Sequence, residues 1–434
     1  MVISLRKVRW NRSQVVLLVF LIVFNLVQAY SLVRRVTTGA TDFTVFYNTG
    51  VLLREGAGTD IYAGKDLSTE WLRTIPPFGQ WLLHPLTALT VREAGIAWAA
   101  INLAMLALGA VWLMQACALL DAKQRLMRRL APAICLVMLA LAPGSIQVGQ
   151  YSVLFVLCWI LYLRLHGSRH ARFAEAALAV PAAVKLYPAF MLVPAMLRRE
   201  WLKCAAFAGW LIVAAGLPVL TYADRTFDLT QSFWNNAILS SSGRIAESQQ
   251  AQSVNDQGID SIALRYLAGE QPIQQRFPML PHAALPAETV LKLVNVLRLA
   301  ILTVSVAVSL YYLARRRRRP LWDEVILMAL FSATLYLLLP GAKSRYAIYE
   351  LFAFVPLICR AFVCRRLGKK TLAKLWRAAT AVLLLLVTVF IPATLRAFGL
   401  GFFGAMGLWA LNIVSIYQWA RVKPRVREKH AFRR

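Results

Sequence analysis

Apolar runs of close to 20 residues recur along the whole of this chain, and nothing else in it narrows the fold so far. Each run can cross a hydrocarbon core about 30 Å thick as a helix. Composition agrees: 59% of the 434 residues are apolar and 16% are charged, too little charge for a soluble domain of this size. The expected fold is a single all-α polytopic membrane domain over residues 1–434, with about twelve crossings and both ends in the cytoplasm.

The formal net charge of +29 would suggest nucleic acid in a soluble protein. Here the Lys and Arg residues sit in short loops between apolar runs. They read as positive-inside topology signals and as contacts to anionic lipid heads, so membrane lipid is an expected partner and nucleic acid is not. The six cysteines form no Cys-x-x-Cys pair, and all lie in or beside apolar runs. They read as packing residues, with neither a disulfide framework nor a zinc site. The five histidines are scattered without metal-ligand spacing. No cofactor or metal is expected.

Topology follows from the basic loops. Arg6, Lys7, Arg9 and Arg12 precede the apolar run Val15–Val33, which is too long for a signal peptide and reads as a retained first span. Residues 34–93 are then a first outer region, with Phe78–Thr90 partial or re-entrant because His84-Pro85 interrupts it. Ala94–Leu120 crosses to Lys123 and Arg125, Leu130–Ala142 goes out to a turn at Gly144–Gln150, and Tyr151–Leu165 comes back to Arg169. Phe173–Leu197 must go out and return as two short halves, broken at Pro181–Pro188. Proline removes a backbone donor, and broken backbone at membrane depth is tolerated where it lines a cavity or is buried in protein. Cys204–Tyr222 leads to a large outer loop, 223–287. Thr289–Ala314 returns to the arginine run Arg315–Arg319, Trp322–Leu339 goes out, and Tyr346–Val363 returns to an inner loop at Arg365–Arg377. Ala378–Leu395 and Phe402–Ala420 form a last hairpin before the basic tail, 421–434.

A few charges are left over by this scheme. Asp42, Lys185, Arg265, Lys343 and Arg345 fall on or near the outer face, and Glu350 lies inside a span; ionisable groups at membrane depth point to function. Asp42 could cap a short interfacial helix with Phe43, Phe46 and Tyr47 on its apolar side, or act as a catalytic base. Lys185, at the break of a broken helix, could snorkel or hold a phosphate. Lys343 and Arg345 could touch lipid at the interface or join a shared anion site. Five basic or acidic groups on one face imply an anionic ligand better than any one of them.

Four motifs share that face: Asp42 after the first span, Ile75-Pro76-Pro77-Phe78, Gly149-Gln150, and Lys185-x-x-Pro188. In this order they resemble the GT-C superfamily, and within it glycosyltransferase family 87, the polyprenol-phosphate-mannose-dependent mannosyltransferases. The resemblance runs from the first span to about Pro356. It implies that Asp42 is the catalytic base. Ile75 stands where the family often has Tyr. Asp256-Gln257-Gly258 with Arg265 is the best match to an Asn-Gln-Ser motif followed by an arginine, and Arg345-Tyr346 replaces a His-Tyr pair. Those departures bear on the sugar and the acceptor more than on the reaction class.

The resemblance further implies inverting transfer of a hexose, mannose first, from a polyprenyl-phosphate donor to a glycan or glycolipid acceptor. The reaction would take place on the outer, periplasmic face of the cytoplasmic membrane. Asp42 would deprotonate the acceptor hydroxyl, and Lys185, Arg265, Lys343 and Arg345 would bind the donor phosphate, with Gln150, Gln257 and Tyr346 as substrate contacts. An O-antigen ligase or polymerase is the alternative enzyme, which one added sugar against a whole glycan in a mass spectrum would separate. A transporter would show inverted repeats with a matching broken helix in each half, and only one broken helix is evident.

Overall fold

The computed structural model describes residues 10–421 apart from 39–40, 65, 67, 70, 120–126, 167, 169, 240–253, 270–271, 281–282, 316–319, 340–341, 389 and 391. Arg6, Lys7, Arg9, Lys123, Arg125, Arg169, Arg316–Arg319, the middle of the large outer loop and the tail beyond Arg421 therefore lie outside the described residues.

In chain order the helices are α1 (Arg12–Val36), α2 (Asp42–Arg54), α3 (Pro77–Leu83), α4 (Val91–Leu119), α5 (Met127–Leu141), α6 (Pro143–Val148), α7 (Ser152–His166), α8 (Ala174–Val184), α9 (Val193–Leu197) and α10 (Trp201–Gly216). After α11 (Arg225–Ser232) and α12 (Ile259–Leu267), in the long polar segment 223–287, come α13 (Ala287–Arg315), α14 (Pro320–Leu338), α15 (Leu351–Arg366), α16 (Lys370–Val387) and α17 (Leu400–Arg421). No strand occurs among the described residues, only two isolated bridges. The chain is an all-α polytopic membrane protein.

Among the described residues eight helices or helix pairs are long and apolar enough to cross a membrane. The other four expected spans are α7, α8, Tyr187–Leu197 and α16. The first three are shorter apolar helices, and α16 opens with Lys370, Lys374 and Arg377, so the count of twelve is not established. α3 has 7 residues, about 10 Å of helix, and cannot cross.

Three boundaries differ from expectation for local reasons. Pro143 at a first helical position starts α6 where a turn was expected, because its missing N–H costs nothing there. The turn is Gly149, left-handed at φ +70°. The expected inner loop Arg365–Arg377 shrinks to Leu367–Lys369, since Lys and Arg are good helix formers and α16 begins at Lys370.

One contiguous apolar core runs from Leu21 to Leu408. Polar side chains tie helices together inside it, as apolar packing alone gives helices in lipid little reason to associate. Asn25 donates to the Leu139 carbonyl at 3.0 Å, Asn412 to that of Ala353 at 3.0 Å, and Ser305 shares a 2.8 Å hydrogen bond with Thr334.

The two ends of the bundle differ in charge. One end carries Arg164, stacked over Trp112, and Arg198, which pairs with Glu324. Tyr162 donates to Glu324 at 3.0 Å, and Tyr312 donates to Asp323 at 2.7 Å. These partners account for the Asp323-Glu324 pair, through Arg198 and two tyrosines. The other end holds α2, α3, the described part of the 223–287 segment and the leftover charges.

Candidate active site

Thr41 begins the site. It is extended, at φ −134° and ψ 154°, and its side chain accepts from the Thr44 N–H. Thr41 is therefore the N-cap of α2, a duty the sequence left open for Asp42. Asp42 is the first helical residue, where the helix dipole favours a carboxylate, and it is 6% exposed. Phe43 and Phe46 are buried against Trp98 and Tyr151. α2 thus packs into the domain instead of lying on a lipid interface.

Asp42 forms an ion pair with Arg345, which arrives 303 residues later in the chain. Arg345 belongs to a 3-10 segment, Ser344–Glu350, that follows extended Lys343. In a 3-10 helix residues three apart eclipse. Tyr346 and Tyr349 accordingly stack, with centroids 5.7 Å apart and planes 13° apart.

Lys185 arrives from the broken helix. α8 ends where Lys185 turns extended, at φ −153° and ψ 137°. Pro188 has no N–H to offer the Val184 carbonyl, so the helix cannot continue. α8 has 11 residues, about 16 Å of rise, so Lys185 sits roughly half a membrane thickness from the basic end. Gly79 of α3 packs beside this break: a Cβ there would make ordinary contact with Val184 at 3.4–3.5 Å, but would overlap Ile75 Cγ2, so the Ile75-Pro76-Pro77 turn is what requires glycine. Lys185 donates to Gln150 at 3.3 Å. Its ammonium stands 5.7 Å from the Tyr346 ring and 5.9 Å from the rings of Phe46 and Tyr187. Arg345 stands 5.3 Å from the same Tyr346 ring, so the two cations flank one tyrosine.

Lys343 completes the group. Burial pushes its pKa below the ordinary 10.5, Arg345 pushes the same way, and Asp256 and Asp42 oppose both. The backbones of Asp256 and Lys343 pair in an isolated antiparallel β-bridge, which sets the two side chains near each other. Burial raises the Asp256 carboxyl, against the Gly258 N–H and Lys343.

Gln257 and Arg265 are nearby but otherwise engaged. The Gln257 amide donates to Arg396 and Val254 carbonyls at 2.9 and 2.8 Å. Arg265 is 1% exposed and donates to the carbonyls of Asp256, Arg396 and Ala397 at 2.6, 3.1 and 3.4 Å. Burial lowers its pKa to about 10, with Asp256 opposing. Both residues fasten the 223–287 segment to the connection before α17. Glu350 is fully buried behind the site, and neither carboxylate oxygen has a hydrogen-bond partner among the described residues.

Sequence reasoning missed the aromatic wall. The Tyr187 and Tyr349 hydroxyls share a 2.6 Å hydrogen bond, and Ser152 meets Tyr349 at 2.9 Å. The Tyr-x-x-Tyr spacing of Tyr346 and Tyr349 was the available signal, but it reads as a wall only once the segment is known to be 3-10. No group of three or more His, Cys, Asp or Glu side chains placed to hold a metal ion occurs among the described residues.

One carboxylate, three cations and an aromatic wall suit a ligand that joins an anionic group to a polyol or a lipid. The model of glycosyltransferase family 87 matches residues 74–340, more than half of the chain. Gln150, Lys185, Gln257 and Arg265 lie inside that span, and Asp42, Lys343, Arg345 and Tyr346 lie outside it. The fold brings the two sets together. No curated protein and no solved structure matches the chain.

Proposed function

Because the chain belongs to glycosyltransferase family 87, and so is a membrane glycosyltransferase of GT-C type, we propose that the Asp42 cluster transfers a hexose, mannose first, from a polyprenyl-phosphate donor to a glycan or glycolipid acceptor. The carrying observation is the pairing of Asp42 with Arg345 beside Lys185 and Lys343. A base and a set of phosphate-binding cations are what an inverting transfer from a monophosphate ester requires.

Asp42 takes the proton of the acceptor hydroxyl as its oxygen attacks C1 of the sugar. The bond from C1 to the phosphate oxygen breaks, and its electron pair leaves with polyprenyl phosphate. Lys185, Lys343 and Arg345 offset the charge that grows on that phosphate. Arg345 holds Asp42; a donor phosphate competes for the guanidinium and leaves the carboxylate available to the acceptor. Gln150 orients Lys185, and Tyr346, held between the two cations, offers its hydroxyl edge to the sugar. Gln257 and Arg265 hold the large outer loop, residues 223–287, over the acceptor side. The basic helix ends opposite the site support a cytoplasmic-membrane enzyme whose site faces the periplasm.

The test offers purified protein synthetic polyprenyl-phosphate mannose or nucleotide-linked mannose, each with EDTA present. Transfer from the polyprenyl donor with EDTA is the expected result. Transfer from the nucleotide donor alone, or loss of activity to EDTA, would overturn the proposal. Transfer from neither would retire mannose and direct the assay to glucose and arabinose donors. Addition of a whole glycan in the product mass would favour a ligase.

A further inference from the structure

A cleft of about 810 Å³ opens at the basic end of the bundle, away from the Asp42 cluster, between α13, α15 and α17. Its rim is cationic and aromatic. Arg360 of α15 lies 5.4 Å from the Trp419 ring, and Arg421 of α17 lies 4.2 Å from that of Tyr417. Tyr311 and Tyr417 stack across the cleft at 5.6 Å.

Among the described residues neither arginine has a carboxylate partner. The buried Nε of Arg360 and the buried Oε1 of Gln418 have no hydrogen-bond partner either. Leaving a half-buried guanidinium unmatched is costly, so the site is built to receive an anion. In the sequence the segments that follow α13 and α17 are basic overall: Arg316–Arg319, and 422–434 with Lys423, Arg425, Arg427 and Lys429 against Glu428.

The rest of the wall is hydrocarbon. Val308 of α13 and Ile413 and Val414 of α17 line the cleft on the side further from the helix ends, and Val414 is 43% exposed. Donors at the membrane surface and carbon below them match one kind of molecule, an amphiphile with an anionic head and a hydrocarbon chain. A soluble anion would leave the carbon uncovered, and a neutral lipid would leave the arginines unmatched.

We propose that this cleft binds an anionic membrane phospholipid, its phosphate against Arg360 and Arg421 and its chain along α13 and α17, on the face opposite the active site. Basic pockets between membrane helices bind such head groups, at about 1 kcal/mol per Arg near the surface, or about fivefold. The site is independent of the sugar-transfer reaction.

Native mass spectrometry of the full chain in detergent with phosphatidylglycerol tests it. The wild type is expected to keep one phosphatidylglycerol. Arg421→Gln, at an exposed helix end, should lower the bound fraction about fivefold, and Arg360→Gln with Arg421→Gln by tenfold or more. Lys370→Gln with Lys374→Gln, two exposed cations outside the cleft, should change nothing. Unchanged binding in Arg421→Gln would overturn the proposal, as would equal loss in the lysine pair, equal retention of phosphatidylcholine, or full displacement by inorganic phosphate.

Discussion

Asp42 carries one duty fewer than its position suggested, because Thr41 caps α2. Its partner Arg345 then becomes the informative residue. Arg345→Gln removes a guanidinium that both Asp42 and the donor phosphate would use. The expected outcome is a rise in donor KM together with a fall in turnover of about 10²-fold or more, comparable to losing one transition-state donor; a change in acceptor KM alone would contradict it. Lys343 gives a pH test. Its lowered pKa means that it sheds its proton at a lower pH than a free lysine. Donor affinity should therefore be full at neutral pH and decline as pH rises, below the ordinary 10.5 for lysine. Lys343→Arg, which stays charged, should remove that alkaline decline, and an unchanged pH profile would exclude Lys343 from phosphate binding. Asp42, Lys185 and Arg345 were legible in the sequence because a charge at membrane depth demands an explanation. Ser152 and Tyr349 were not. Their contact joins residues 197 apart, and a serine at a helix start has ample local reasons to exist.

Gly149 shows how one backbone position holds several elements in register. It is left-handed, and a Cβ there would lie 2.5 Å from that of Phe43 and within 3.3 Å of Leu32 and Trp98. Gly149→Ala should cost about 1–2 kcal/mol for the left-handed backbone alone, more for the overlap, and should displace Gln150 beside it. Thermal unfolding in detergent should show a clearly lowered midpoint and reduced transfer. Gly209→Ala, inside α10 with nothing within 4 Å, should hold or slightly raise the midpoint; a fall equal to that of Gly149→Ala would refute the packing argument. At this scale the broken helix was readable, because Pro181 and Pro188 bracket Lys185. The starts of α6 and α16 were not, because proline at a first turn and basic residues in a helix both resemble loop composition.

The whole bundle separates its charges by face, with the candidate site at one end and Arg198, Arg360 and Arg421 at the other. If the site faces outward, Asp228→Cys on exposed α11 should react with an impermeant maleimide in intact cells, and Lys374→Cys only after the membrane is opened. The reverse pattern would invert the assignment. A separation of charge between the two ends was legible in the basic loops, while the convergence of α1, α8 and the start of α15 on one point was not, since no local pattern encodes which helix ends meet. The central claim is that Asp42 is the base of a polyprenyl-phosphate glycosyl transfer. Single-turnover transfer by Asp42→Asn, with donor binding measured in parallel, tests it most directly. Asparagine keeps the size and leaves the Thr41 cap untouched, so folding and donor binding should persist. Transfer should fall by about 10²–10⁴-fold, the usual contribution of a positioned base. Transfer at the wild-type rate with donor bound would contradict the account.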